Sequence, residues 1–245
     1  VGHLRAATSA DIPQAFRRDG VTVDLAATTV FAGNVITYTY IMHSLPVSSQ
    51  RLWKFAIHTL SPVSSPSEPA GWHGDTMGPF SSLWSWGAID PSSDVLPGGS
   101  AVAFRFSSTG LPGIVTYRAQ GYAPLPSVED LPPGAEKAMA FLTNSFEGHT
   151  AGPSHVTLDA TPADILTFLK NQQHRALELK WLPTVARLDN ILAAVRAAVA
   201  RGDNQAAKGY LIFYRAEASF QARRAQLGYA FPVLETGAYV LESKL

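Results

Sequence analysis

The 245-residue chain contains no cysteine. That excludes disulfide staples, zinc–thiolate centres and a thiol nucleophile. Net charge is also missing, because 19 Lys and Arg offset 19 Asp and Glu. A balanced chain has little to gain from counterion release on nucleic acid or from an anionic bilayer, so neither is expected as a partner. No run approaches the ~20 consecutive apolar residues of a membrane span, and no membrane insertion is expected. The sequence also lacks a Gly-x-Ser-x-Gly elbow, a phosphate loop, a dinucleotide fingerprint and an HExxH pair, so the expectation is a protein without catalysis or cofactor.

What is present is apolar: 46% of the residues are hydrophobic and only 16% charged. A core of that size needs no crosslinks, even outside the cell. Val1 in place of Met agrees with removal of a leader or with trimming of the chain; the first fits an extracellular or cell-surface location. Split at Thr150, the first part carries 8 basic against 11 acidic residues and the remainder 11 against 8. The small opposite imbalance could help the two parts dock, but a difference of this size reads as incidental.

Residues 1–20 mix Thr, Ser, Asp and Pro without a period and read as an N-terminal arm. Ile12, Pro13 and Phe16 are the apolar residues with which it could pair a sheet edge, its own or a neighbour's. From Val21 the pattern becomes β. Val21–Leu25 alternates, Val35–Ile41 is β-branched and aromatic, and Gly33-Asn34 turns between them. In Leu52–Leu60, Trp53, Phe55, Ile57 and Thr59 share one face. Residues 61–69, rich in Pro and Ser, read as a connection. Ala101–Phe106 and Ile114–Tyr117 read as a hairpin joined across Gly110-Leu-Pro-Gly113. Phe141–Gly148 reads as a last strand, ended by Gly152-Pro153. Seven or eight short strands spaced by turns predict an antiparallel, Ig-like β-sandwich over 21–153.

After a linker at 154–160 the period changes to that of helices. Thr161-Pro162 has the form of a cap followed by a first-turn proline. Val185, Leu188, Leu192, Val195 and Val199 step by three and four, and Gly202 stops them. Ala207, Leu211, Tyr214 and Ala218 repeat the spacing, as do Phe231, Leu234, Ala238, Leu241 and Leu245. Four amphipathic helices predict a small antiparallel bundle over 161–245 and, for the whole chain, an α+β class.

The motifs L-W-K-F-A-I-H (52–58), G-W-H-G (71–74), D-P-x-x-D-V-L-P-G-G-S (90–100), F-R-F-S-S-T-G-L-P-G-I-V-T-Y (104–117) and N-S-F-E-G-H-T-A-G-P (144–153) resemble a β-rich module of bacterial exported proteins. Phe168-Leu169, Leu179–Leu182, Leu188–Leu192, Arg201–Ala206 and Tyr210–Phe213 are similar to the FIMAH/FIVAR-like helical modules of bacterial surface and secreted proteins. The third helix departs from them, being aromatic and irregular at Tyr210, Phe213, Tyr214 and Phe220. The resemblance implies export and a structural or adhesive role, and it supplies no catalytic residues.

Three constellations are candidates for chemistry. Asp90 and Asp94, with Asp75, could surround Ca²⁺; the alternative is that Asp90 and Asp94 cap turns. Trp72, with His73 and Asp75, could stack and hydrogen-bond a glycan, as part of a platform with Phe80, Trp84, Trp86 and Tyr122; Trp72, in a Gly-flanked turn, is the better exposed candidate, and the preferred alternative for these rings is core packing. Alternation assigns Trp84 and Trp86 to the core. The histidines are scattered; His43 and His58 could face one another on neighbouring strands, and His149 and His155 flank the domain junction. The function expected is that of a non-enzymatic extracellular structural protein working through protein–protein contacts, including self-assembly. The alternatives are a carbohydrate-binding or adhesion module and, third, a metal-assisted hydrolase.

Overall fold

A computed structural model describes residues 17–76, 83–124, 144–225 and 229–245. Among the described residues, nine strands form two antiparallel sheets and four helices follow them, an α+β arrangement. The strands are β1 (Val23–Ala32), β2 (Val35–Ser44), β3 (Leu52–His58), β4 (Val63–Ser67), β5 (Trp72–Thr76), β6 (Leu83–Ala88), β7 (Ser100–Ser108), β8 (Gly110–Gly121) and β9 (Phe146–Thr157). One sheet has the order β1-β2-β7-β4 and the other β5-β6-β3-β8-β9.

Alternation places the core. In β2, Ile36, Tyr38, Tyr40 and Met42 are fully buried while the residues between them are half-exposed, the period of a strand with one covered face. Gly33 sits at φ +62° in the two-residue turn between β1 and β2, a conformation that costs a glycine little. The sheets meet through aromatic rings. Trp86 of one stacks on Phe106 of the other at 5.7 Å, and Phe55 meets Phe104 edge-on at 4.8 Å. Buried hydroxyls join the layers as well: Tyr38 donates to the Gly110 carbonyl (2.7 Å), Tyr40 to Ala151 (3.0 Å) and Tyr117 to Val23 (2.5 Å). Each satisfies a group that would be costly to bury alone.

Several sequence expectations are corrected. The expected hairpin is not one, because β7 and β8 lie in different sheets and the chain crosses between them at Thr109. Gly110-Leu-Pro-Gly113 is the start of β8 rather than its preceding turn. The glycines serve close approach: a Cβ on Gly110 would lie 2.5 Å from the Ser154 carbonyl oxygen, and one on Gly113 3.0 Å from the Ser154 Cβ. The presumed connection 61–69 contains β4, whose residues are largely exposed. As an edge strand it needs no apolar face, and Pro66 with the left-handed Ser65 (φ 49°) interrupts its pairing. Gly152-Pro153 does not end a strand; β9 runs through it to Thr157, so the expected linker at 154–160 is strand for its first half. Pro153 is placed opposite Pro112, where β8 changes register and neither needs to donate. The expected arm is pinned where it is described. Arg18 O accepts from Gly121 N (2.7 Å), and Gly20 O accepts from Ser49 N (2.8 Å). Ile12, Pro13 and Phe16 lie outside the described residues.

The helices are α1 (Pro162–Glu178), α2 (Ala186–Ala200), α3 (Asn204–Arg224) and α4 (Ala230–Lys244). Thr161 caps α1 in a reciprocal pair with Asp164, and Pro162 opens it as expected. Asp203 caps α3 by accepting from Ala206 N (3.0 Å). The helices do not hang from a tether. α4 packs on β1, β8 and β9 on one side and on α1 and α3 on the other. Thr236 hydrogen-bonds Thr29 (2.8 Å), and Tyr229 donates to Asp24. Gly237 lets α1 come close: a Cβ there would lie 2.7 Å from Leu169 Cδ2. Buried side chains from sheets and helices thus form one continuous core.

Candidate interaction surface

Of the rings considered for a glycan platform, Trp72, Trp84 and Trp86 belong to the core, the reading preferred from the sequence. Trp72 is 4% exposed, edge-on to Phe104 at 5.1 Å, and its Nε1 donates to the Ser93 carbonyl (3.0 Å). Gly71 does make the turn, at φ +80°, but the next residue starts β5 and points inward. His73 and Asp75 are exposed on that strand while Trp72 is buried; Asp75 accepts from the Thr76 amide at 2.6 Å. Trp84 and Trp86 are buried between the sheets as expected. Tyr122 is half-exposed, with the Arg51 guanidinium 4.3 Å from its ring centre. Phe80 lies outside the described residues.

The carboxylates proposed for Ca²⁺ do other work. Asp90 accepts from the Ser92 amide (2.8 Å) and hydroxyl and caps the 3₁₀ turn Pro91–Ser93, bonds that hold its carboxyl below the ordinary range. Asp94 pairs with Arg51 Nε at 2.8 Å; burial pushes its carboxyl up while Arg51 opposes. Among the described residues, no three His, Asp or Glu side chains gather as metal ligands, so Asp75, Asp90 and Asp94 do not form the expected set.

The histidine pairing is corrected too. His43 lies on β2 and bonds Ser100 on β7 (2.6 Å), whereas His58 lies on β3 in the other sheet. His149 does lie where sheet and helices meet, 3.5 Å from Arg175 of α1. Burial and that guanidinium hold its imidazole below the ordinary histidine value. His155 lines an open groove of about 430 Å³ between β9 and α1, with Asp164, Thr167, Asn171 and Gln172 over a buried Phe168.

The departure from ordinary patterning is in α3. Its inner face is fixed by Ala207, Leu211, Tyr214 and Ala218, all buried. That face also holds polar groups. Glu217, 6% exposed, pairs with Arg187 (3.2 Å) and accepts from Gln221 Nε2 (2.6 Å). Tyr214 OH donates to Gln173 Oε1 (3.0 Å), whose amide donates to Asp189 (2.7 Å). Burial raises the Tyr214 phenol far above its usual value. On the outer face, Ile212 is 54% exposed, Phe213 65% and Phe220 49%, with Tyr210 at 38% beside them. Gly209 and Ala216 complete the stripe, and Arg223 and Arg224 end it. The Arg224 guanidinium lies 5.6 Å from the Phe220 ring centre.

At 100° per residue, the inner set 207, 211, 214 and 218 already puts 209, 213, 216 and 220 on the far side. The arithmetic was available in the sequence, and the aromatic irregularity of this helix marked it. Ile212 was not singled out. A contiguous apolar stripe of this kind on an outer helix is the ordinary mark of a contact surface. Two of the sheet edges are less suited to that role. β4 is broken by Pro66, and β5 exposes the polar His73 and Asp75.

No protein-family model matches the chain, and no curated protein is similar to it.

Proposed function

We propose that this chain is a non-catalytic module of an exported or cell-surface structural protein and works through protein–protein contacts. The observation that carries the reading is the outer face of α3, where Ile212, Phe213 and Phe220 are about half exposed or more. Holding large apolar side chains in water gains a monomer nothing, whereas covering them contributes about 25 cal/mol for each Å² removed from water.

The finer architecture is an Ig-like sandwich carrying an antiparallel helical bundle. Supporting it, β1-β2-β7-β4 facing β3-β8-β9 has the strand order of a constant-type Ig domain, and β5 and β6 add a hairpin at the free edge of β3. Export is part of the same proposal; a core large enough to stand without disulfides is compatible with it.

A photo-crosslinking residue at position 213, in cells that make the protein, tests the contact reading. A discrete protein adduct is expected there and not from the same residue at exposed Arg196 on α2. Equal, diffuse labelling at the two positions would sink it.

A further inference from the structure

Resting on that contact reading, we infer that the occupant of the α3 stripe is α3 of a second copy, antiparallel across a two-fold axis beside Ala216. Three observations single out this partner.

The first is the pattern along the stripe. Phe213 and Phe220 are two helical turns apart, and small Ala216 lies between them on the exposed side. A two-fold beside Ala216 brings Phe213 of each copy against Phe220 of the other. The ring pair forms twice, and a small residue sits where the two backbones come nearest. Paired rings offset or edge-on are the favoured arrangement.

The second is charge. The face from 209 to 224 ends in Arg223 and Arg224, and its one carboxylate, Glu217, is turned inward against Arg187. Parallel pairing would bring four guanidinium groups together. Antiparallel pairing separates them and sets Arg224 level with the half-exposed Tyr210 ring of the other copy, a cation over an aromatic face. Self-recognition therefore fixes direction as well as partner.

The third is size. The stripe is a single helix face with a handful of large residues, a patch on the order of a few hundred Å². A durable complex needs about 800 Å² on each side. The pair is accordingly reversible and concentration-dependent. Among the described residues α3 packs chiefly on α2 and α4, and Ile212, Phe213 and Phe220 on its other side are about half exposed or more.

The experiment uses the whole purified chain. Its mass by sedimentation is expected to rise from 26.3 kDa toward twice that value between micromolar and millimolar concentration. Phe213→Glu should hold it at the single-chain mass with an unchanged circular-dichroism spectrum. The sequence has no cysteine, so a single introduced thiol reports geometry directly. Ala216→Cys, beside the axis, should crosslink to a dimer under mild oxidation. Arg223→Cys should not, since its two copies would stand about 20 Å apart along the helices at 1.5 Å per residue. Crosslinking at both positions would overturn the antiparallel geometry. A chain that stays monomeric throughout, while position 213 still yields an adduct with another protein, would overturn self-pairing and leave the contact reading standing. Absence of any adduct would overturn both.

Discussion

Phe106 and Phe213 are the same residue in opposite situations. Phe106 is fully buried between the sheets, stacked on Trp86, whereas Phe213 is 65% exposed on α3. The contrast extends to their surroundings. In the sheets, aromatic rings fill the interior, and their hydroxyls are spent on backbone carbonyls of the facing layer. In α3 the interior side carries Glu217, Gln221 and Tyr214, and the rings Phe213 and Phe220 look outward. Strand alternation thus follows the core of one molecule, while α3 divides its apolar side chains between its own core and a surface. Under the contact reading proposed above, the outward rings of α3 are the contact residues.

Four changes test that contrast, beginning with the largest effect. Phe106→Ala should cost about 3–5 kcal/mol of unfolding free energy, because the surrounding rings can close the cavity only in part. Urea denaturation measures it, and a loss under 1 kcal/mol would mean that the sheets do not share one interior. Gly237→Leu comes next. The side chain must enter the space of Leu169 Cδ2, and overpacking of this kind costs about 1–3 kcal/mol. Since α4 joins the sheets to the other helices, the variant should also separate one cooperative transition into two by fluorescence and far-UV circular dichroism. Third, Phe213→Ser should leave stability within about 0.5 kcal/mol, as expected of an exposed site without a special backbone role. A cost like that of Phe106→Ala would show that Phe213 belongs to the core and would end its assignment to contact.

The smallest effect concerns His149. Its folded-state value is lowered by burial and Arg175, so the unfolded chain binds the proton more readily. Its contribution to stability is therefore present above the unfolded value of about 6.5 and is lost as pH falls through that value toward the folded one. His149→Gln should flatten the decline in stability between neutral pH and pH 5 relative to the unmodified chain. An unchanged slope would dissociate this residue from the seam between β9 and α1.

What the sequence made legible follows from where one periodicity dominated. β2 alternates over its whole length, and the helices step by three and four, so their positions and inner faces were readable within a few residues. The failures occur where glycine and proline serve packing. Gly110-Leu-Pro-Gly113 and Gly152-Pro153 have the composition of turns, yet both lie inside strands, in β8 and β9. A close backbone approach and a turn call for the same residues, and only the paired strand distinguishes them. β4 was missed because an edge strand can be polar throughout. Trp72 could not be placed by the turn before it, which says nothing about which way the following strand faces. The α3 stripe was half legible: spacing located its inner face and thereby its outer one, but burial was needed to show that Ile212, Phe213 and Phe220 stand about half exposed or more.

The place of α4 in the chain has a consequence for biosynthesis. The part of β1, β8 and β9 on which α4 packs is covered by a helix that begins at Ala230, some seventy residues after β9 ends at Thr157. At roughly 5–20 residues per second, several seconds of translation separate the last strand from its cover. Until that helix is made, the strands lack a neighbour that the finished core includes, so the last segment synthesised is the one that joins both sheets to the remaining helices.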